Sequence, residues 1–190
     1  MKKIISKQRR DRKQNIKQWV VGIVLIGVML FSVIAGGFVG RGGDSSKKVK
    51  YNGFEFIKQG EFWTTEINEI SFIFNYNPKQ IEEIGEPLNG ITNYRGKPLY
   101  IFSGNNVVEA KIYQNLFSNG LIQRMQKGCP EDEVCEEDIP IKTCEDNFII
   151  MREKENLNIY QQENCVFIEG KKEDFMKLSD EFLFKILSIR

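Results

Sequence analysis

The chain has 190 residues, of which 41% are apolar and 28% charged, which suffices for one modest domain with short appendages and excludes a large multidomain enzyme. It contains no histidine, so histidine-based catalytic triads, imidazole zinc sites and imidazole acid–base catalysis are excluded. Residues 1–18 carry eight basic residues and one acidic residue, whereas residues 41–190 carry 19 basic and 25 acidic residues. The near-neutral total therefore hides a basic N-terminus and an acidic remainder.

Residues 19–40 form an uncharged, largely apolar run. A helix of that length covers roughly 33 Å at about 1.5 Å per residue, which is enough to cross a bilayer. We therefore predict a transmembrane helix over residues 19–40. The alternative is a cleaved signal peptide that ends near Ala35-Gly36-Gly37, but the apolar regions of signal peptides are shorter, at about 7–15 residues.

The basic residues predict the orientation of this span. Eight of them precede it and five follow in the first stretch after it, and Lys and Arg resist translocation. We expect a single-pass protein of the cell membrane with residues 1–18 as a cytoplasmic tail and the C-terminal domain outside. The lipid bilayer is the first predicted partner, since the basic tail can also lie on anionic headgroups.

Small residues recur every four positions within the span, at Ser32, Gly36 and Gly40. Residues at this spacing share one face of a helix and permit the close approach of a second helix. They are candidate helix–helix contacts for a homodimer through the transmembrane segment.

Residues 41–50 are rich in Gly, Ser and Lys and predict a flexible tether. Residues 51–190 then form one extracytoplasmic domain. Because the acidic residues outnumber the basic ones there, the domain would repel a phosphate backbone, and no nucleic-acid partner is expected.

The first part of this domain predicts strands. Three short apolar runs indicate a three-stranded antiparallel meander over residues 51–76, and a short helix is predicted from Pro78 to Ile84. The aromatic residues of the meander could form a ligand platform or, as in most strand-rich domains, divide between core and surface. They are Phe54, Phe56, Phe62, Trp63, Phe72, Phe74 and Tyr76.

The middle of the domain predicts a buried strand at residues 99–102 and then a helix, with Asn106 and Glu109 in a capping box. Two apolar stripes suggest either two helices or one kinked helix, because Ser118-Asn119-Gly120 interrupts the pattern. The stripes are Val108, Ile112 and Leu116, and then Phe117, Leu121 and Met125.

The last part predicts a second meander over residues 148–151, 158–160 and 166–168, followed by a helix with one apolar stripe and charges opposite. The stripe consists of Phe175, Leu178, Phe182, Ile186 and Ile189. The fold class is therefore α+β, with an antiparallel or mixed sheet covered by helices.

All four cysteines, Cys129, Cys135, Cys144 and Cys165, lie in the outer domain, where an oxidising compartment favours disulfides. Of the three pairings, we favour Cys129 with Cys135 and Cys144 with Cys165. The second bond raises a geometric difficulty: in a flat meander the first and third strands are about 9.6 Å apart. Cys144 would then have to lie in the loop that leads into the meander.

Other cysteine chemistry fits less well, since the spacing lacks the CxxC pairs of zinc sites and thiol oxidoreductases. Six acidic residues at 131–138 lack the spacing of a calcium loop and indicate a solvated, disulfide-pinned loop. Ser103-Gly104 stands at a strand end without a GxSxG motif and is interpreted as a turn. No catalytic, metal or cofactor-binding residue is assigned.

From Thr143 onward, the segments TCEDNFII, IYQQENCVFIEG and FLFKILSI resemble the C-terminal part of archaeal single-span membrane proteins from small-genome lineages. The likeness covers about a third of the chain. This family has no known activity, so the resemblance transfers no catalytic residue to this chain.

These observations predict a membrane-anchored extracytoplasmic binding or assembly module of the cell envelope that is not an enzyme. Its partner would be an envelope protein or a glycan. The alternatives are an anchored, carboxylate-dependent hydrolase acting on glycans and, less well supported by the cysteine spacing, a thiol–disulfide enzyme.

Overall fold

The structure, a computed structural model, describes residues 47–135 and 138–190. The tail, the predicted span and the face formed by Ser32, Gly36 and Gly40 lie outside these residues. Within the described residues, no helix is long and apolar enough to cross a membrane. These residues form a mixed α+β fold with an antiparallel sheet, a mixed sheet and two helices.

The first sheet is an antiparallel meander of four strands in sequence order. Its strands are β1 (Lys48–Tyr51), β2 (Phe54–Gln59), β3 (Phe62–Ile67) and β4 (Ile70–Phe74). The three strands predicted from the apolar runs are confirmed as β2, β3 and β4. Tight turns connect them, and Asn52, Asn68 and Glu69 adopt positive φ in these turns, as their position between antiparallel strands requires.

Strand β1 occupies residues 48–50, which were assigned to the tether. Lys48 and Lys50 face away from the core, while Val49 and Tyr51 pack against it. Lys48 also forms an ion pair of 2.8 Å with Glu55 on β2, which lowers the pKa of the Glu55 carboxyl. The alternation of Lys with Val and Tyr is a strand pattern that the Lys-rich composition of the tether obscured.

The second sheet has five strands in the order β10-β11-β9-β5-β6. The strands are β5 (Pro98–Phe102), β6 (Arg124–Lys127), β9 (Phe148–Glu153), β10 (Asn158–Gln162) and β11 (Cys165–Gly170), while β7 (Cys129–Pro130) pairs with β8 (Ile141–Lys142). Strands β6, β5, β9 and β11 are parallel neighbours, and β10 is antiparallel to β11.

Helix α1 (Asn106–Leu116) connects β5 to its parallel neighbour β6. The predicted cap was wrong by one residue: the side chain of Asn105 accepts hydrogen bonds from the backbone N–H groups of Val107 and Val108. Glu109 does not close a capping box, because its carboxylate accepts a hydrogen bond from the Ser103 hydroxyl at 2.8 Å.

The second half of the predicted helical region is a turn that leads into strand β6. Val108, Ile112 and Leu116 are buried as expected, but the helix ends at Leu116 and Gly120 takes a positive φ. Met125 then lies on β6, so the apparent stripe of Phe117, Leu121 and Met125 does not belong to a helix. Three apolar residues at a spacing of four are compatible with a helix and also with a turn followed by a strand. The positive φ of Gly120 breaks the helix and decides for the second structure.

The strands predicted as a second meander are β9, β10 and β11, but they do not lie side by side in the order of the chain. Strand β11 lies between β9 and β10, parallel to β9 and paired with β10 through a tight hairpin. The first and third of these strands are therefore neighbours. Glu163 has a positive φ in the two-residue hairpin loop between β10 and β11.

The final helix, α2 (Phe175–Ile186), is confirmed, and every residue of its predicted stripe is buried. It contacts β11, and the Phe184 ring packs against Phe56 and Phe74 of the first sheet. The prediction that its charges face solvent was wrong, since Asp180, Glu181 and Lys185 are buried. The helix is buried on all sides because it packs against both sheets.

The predicted helix from Pro78 to Ile84 does not form. The Asn77 side chain accepts a hydrogen bond from the Lys79 N–H, and the Asn77 N–H donates to Gln80. The Arg190 guanidinium donates a hydrogen bond to the Pro78 carbonyl. In a helix this carbonyl would instead accept the N–H of the residue four positions later. Side-chain partners have replaced the helical bonds, and only a turn remains.

Candidate binding groove

An open groove of about 340 Å³ runs between strand β6 and the side of helix α1. We call it the β6 groove and define it by Ile101, Ala110, Tyr113, Met125, Gln126 and Lys127. Strand β6 pairs with β5, and in the described parts of the chain no strand pairs with its other side. The groove therefore borders an open edge of the five-stranded sheet.

The walls of the β6 groove are apolar and held in place by their neighbours. Tyr113 is 43% exposed, and its ring packs on Phe117 with 4.7 Å between the ring centroids. Ile101 and Met125 belong to the helix-facing side of the sheet and pack with the main core. An exposed tyrosine beside core residues can bury apolar area and still offer a hydroxyl to a ligand.

One end of the groove is polar. The Lys127 ammonium lies 3.6 Å from the Glu109 carboxylate and 3.3 Å from the Asn106 side-chain oxygen. A second hollow of about 260 Å³ begins at the same residues, Ile101, Glu109 and Lys127, and extends past Gly104 to Val134. The two hollows meet at the carboxyl ends of β5 and β6, where open parallel sheets commonly place ligand sites.

The side chain of Val134 is fully exposed in this second hollow. It lies in the loop that the Cys129–Cys135 disulfide closes, which has an S–S distance of 2.03 Å. An exposed valine on a disulfide-pinned loop adds apolar surface beside the β6 groove.

Both bonds of the favoured cysteine pairing are present, and the described residues hold no free cysteine. Cys144 and Cys165 have Cα atoms 4.9 Å apart. The geometric difficulty disappears because β9 and β11 are neighbours, and Cys144 lies in the turn before β9. This bond packs among Tyr100, Phe148 and Phe167 on the face of the sheet away from the helices.

That opposite face carries another hollow, of about 330 Å³, lined among others by Lys142, Arg152 and Tyr160. Its cations already have partners. Arg152 donates to the Asp132 carboxylate at 2.7 Å, and Lys142 lies 3.2 Å from Asp146 and over the Tyr100 ring. The cations of this hollow are therefore bound by carboxylates of the same chain.

The acidic loop after Cys129 contacts Arg152 through two of its described residues. Asp132 and Glu133 both pair with Arg152, and Asp132 remains 65% exposed. In the described parts of the chain, no three His, Cys, Asp or Glu side chains converge to hold a metal ion. Ser103-Gly104 forms a turn, as interpreted from sequence, and the Ser103 hydroxyl also accepts the N–H of Asn105.

The aromatic residues of the first sheet belong mainly to the core. Phe56, Trp63, Phe72 and Phe74 are buried, and the most exposed member is Phe62, at 46%. These residues form no continuous exposed platform, which leaves the β6 groove as the better binding surface.

Sequence reasoning missed two buried charge clusters on α2. Asp180 pairs with Lys111 of α1, and its second oxygen accepts the N–H groups of Asn75 and Tyr76 at 2.9 and 3.0 Å. Burial raises the pKa of Asp180 to about 6 and lowers the pKa of Lys111. This cluster joins the two helices to the end of β4.

The second cluster lies one residue further along α2. Glu181 pairs with Arg190, whose guanidinium also donates to the carbonyls of Pro78 and Ile81, and burial raises the pKa of Glu181. The apolar stripe of α2 gave no signal for either cluster, because Asp180 and Glu181 were among the charges expected to face solvent. Neither cluster lines any of the three hollows, so both hold the fold together.

The β6 groove was also missed. Its signal was a second set of apolar residues on α1, including Ala110 and Tyr113, on the side that the core does not use. No family model, curated protein or solved structure matches the chain.

Proposed function

We propose that this chain is a membrane-anchored module whose outer domain binds a component of the cell envelope through the β6 groove. One observation carries the proposal: an apolar groove lies directly beside a sheet edge that no described strand occupies. Open edges are surfaces on which other chains dock, and most proteins cover or blunt them. Here the edge is exposed next to an apolar wall.

The anchor in this proposal is the apolar run at residues 19–40, with residues 1–18 in the cytoplasm and the domain outside. The two disulfides support an oxidising location for the domain. The face of Ser32, Gly36 and Gly40 would allow two copies to associate in the bilayer. Two anchored copies would present two grooves to the same partner and so raise the apparent affinity.

Binding is better supported than hydrolysis. The two carboxyls whose pKa burial raises, Asp180 and Glu181, are bound to Lys111 and Arg190 in the interior. A hydrolase would need such groups to converge on a cleft that a substrate can enter. The β6 groove holds one carboxylate, Glu109, which pairs with Lys127.

The test is site-specific photo-crosslinking in intact cells that express the full-length chain. A benzophenone amino acid replaces Tyr113 in the groove and, as the matched control, Phe62, an aromatic residue of similar exposure on β3. Crosslinked products are resolved before and after external protease treatment of the cells.

We expect a discrete product from position 113, degraded by the external protease, and none from position 62. Ala110→Trp, which fills the groove, should remove that product. Equal products from both positions, or a product that Ala110→Trp leaves unchanged, would contradict binding through the groove. A product that resists external protease would contradict the outer location.

A further inference from the structure

We propose that the ligand of the β6 groove is an extended, acidic peptide segment that adds to β6 as a further strand of the sheet. This inference rests on the proposed function, since it names what the groove binds. Three features of the edge carry it: its open backbone groups, its charge, and the poor fit of a second copy.

The backbone of β6 has groups with which no described strand pairs. Gly128 donates its N–H to the Ile101 carbonyl of β5 at 3.0 Å. Because backbone groups alternate direction along a strand, the N–H and C=O of Lys127 and Met125 point away from β5. A peptide beside β6 can accept and donate hydrogen bonds at these two residues.

Of the three other edges of the two sheets, those of β10 and β4 are covered. Beside β10, the Glu86 N–H donates to the Ile159 carbonyl at 2.9 Å, and Gly85 comes so close that an added Cβ would lie 1.8 Å from that oxygen. Beside β4, the Asn115 side chain bonds both the N–H and the carbonyl of Ile73. Strand β1 also has one side without a strand partner among the described residues, but its residues line none of the three hollows described above.

The charge around β6 is opposite to that of the rest of the domain. Residues 91–128 contain five basic residues and one carboxylate, Glu109, whereas residues 129–190 contain eight basic and sixteen acidic residues. Lys111 is buried with Asp180, and the remaining basic residues are Arg95, Lys97, Arg124 and Lys127. All four are exposed. This local charge favours an acidic ligand.

Cations stand on both faces of the edge strand. Lys127 lies on the helix side, beside Glu109, while Arg124 lies on the opposite side, where its guanidinium donates to the Tyr100 hydroxyl at 3.0 Å. The side chains of an added strand alternate between the same two faces. Apolar residues of the peptide would face the groove at Tyr113 and Met125, and acidic residues would lie near Arg124.

A second copy of this chain fits the edge poorly. In a two-fold antiparallel pairing of β6 with β6, each copy would bring its exposed Arg124 and Lys127 to the same seam. Like charges close together across a strand pair are destabilising. The same cations that attract an acidic segment therefore oppose self-pairing at this edge.

The experiment measures binding of fluorescein-labelled peptides to the full-length chain in mild detergent by fluorescence anisotropy. The first probe is a seven-residue peptide of alternating glutamate and valine. The second replaces glutamate with lysine. The third keeps the acidic sequence but carries N-methyl groups at alternate backbone nitrogens, which removes donors while keeping the charge.

We expect the acidic peptide to bind at least about tenfold more tightly than the lysine peptide and the N-methylated peptide, with affinity falling as salt is raised. The double variant Arg124→Glu with Lys127→Gln should lose this preference and gain affinity for the lysine peptide, which also shows that it is folded. The matched control, Lys172→Glu with Lys171→Gln on an exposed surface away from β6, should bind as the wild type does.

Equal affinity for the acidic and lysine peptides would overturn the acidic specificity. Equal affinity for the N-methylated peptide would overturn strand addition. If either result accompanies a crosslink from position 113, the groove binds another kind of ligand and this inference alone fails. If the crosslink is absent as well, the proposed function fails with it.

Discussion

Lys111 of α1 and Asp180 of α2 form an ion pair between the two helices, with their side chains 9% and 0% exposed. The remaining oxygen of Asp180 accepts two backbone N–H groups that follow β4, from Asn75 and Tyr76. One carboxylate thus connects both helices to the first sheet. Breaking a buried pair by removing one partner leaves an uncompensated charge, which is more costly than removing both.

Replacing Lys111 with Met should therefore lower the free energy of unfolding by about 3–5 kcal/mol at pH 7.5. The measurement is urea unfolding of the full-length chain in detergent, followed by the fluorescence of buried Trp63 in a Trp19→Phe background. The double variant Lys111→Met with Asp180→Asn should recover most of the loss, because an asparagine oxygen can still accept the two N–H groups. A double variant as unstable as the single one would contradict the pairing.

The cost of Lys111→Met should depend on pH. Burial already raises the pKa of Asp180 to about 6, and removing the cation raises it further, while in the unfolded chain it stays near 3.9. The folded state then binds more protons than the unfolded state above about pH 4, so the variant loses stability as pH rises from there through the folded pKa. Urea unfolding at pH 4 and 7.5 should show the larger deficit at pH 7.5, and an equal deficit would count against this titration.

Arg190 joins the C-terminus to two other parts of the domain. It pairs with Glu181 and donates to the Pro78 and Ile81 carbonyls from a largely buried position. Arg190→Ala should cost about 3–5 kcal/mol, and Arg190→Lys about half as much, because lysine keeps the charge without the planar fork. Lys172→Ala, at an exposed site, is the control and should change stability by less than about 0.5 kcal/mol in the same urea experiment.

The two disulfides should stabilise unequally. Cys144 and Cys165 are separated by 21 positions and Cys129 and Cys135 by 6, and a longer closed loop restricts the unfolded chain more. Removing the first pair with two Ala substitutions should cost about 3 kcal/mol, and removing the second about 2 kcal/mol. Peptide mass mapping without reductant should recover the same pairs. Exchange to another pairing, or a larger loss from the shorter loop, would contradict this assignment.

Single cysteines can report the proposed orientation because the four native ones are paired. Lys172→Cys, in the outer domain, should react with a membrane-impermeant maleimide on intact cells, whereas Lys7→Cys should react after the cells are opened. The readout is a mass shift of the purified chain. Labelling of Lys7→Cys on intact cells, or protection of Lys172→Cys, would contradict the expected topology.

Alternating and continuous apolar runs made β2, β3, β4, β5 and the final helix predictable, whereas β1 was missed. In the run from Leu99 to Phe102, Leu99 and Ile101 face the main core while Tyr100 and Phe102 face the smaller cluster on the other side. Such two-sided burial explains why this run is continuous rather than alternating. The cysteine pairing was favoured because Cys129 and Cys135 would close a small loop, and both bonds are present in the structure.

The order of strands could not be read from periodicity. Nothing in the apolar pattern distinguishes a sequential meander from one in which β11 inserts between β9 and β10, because each strand keeps the same faces in both arrangements. The helix expected from Pro78 fails for a related reason. Arg190 is 112 positions away in sequence, and its hydrogen bond to the Pro78 carbonyl has no local signal.

The groove depends on the same long-range information. Tyr113 and Met125 are ordinary apolar residues until the crossover from β5 through α1 places both beside an edge strand. The excess of basic residues in 91–128 was visible in the sequence. It indicated no binding site until β6 was known to be an edge strand. Sequence patterns therefore identified most strands and both helices, whereas the site follows from their arrangement.

Hydrogen–deuterium exchange of the full-length chain, with and without the alternating glutamate–valine peptide, tests the central claim most directly. The account predicts that the peptide slows exchange of the Met125 and Lys127 amides, which point away from β5, and leaves β10 and β4 unchanged because their edges are covered. Saturating peptide that leaves the β6 amides unprotected, or that protects a different part of the domain, would contradict binding at this edge.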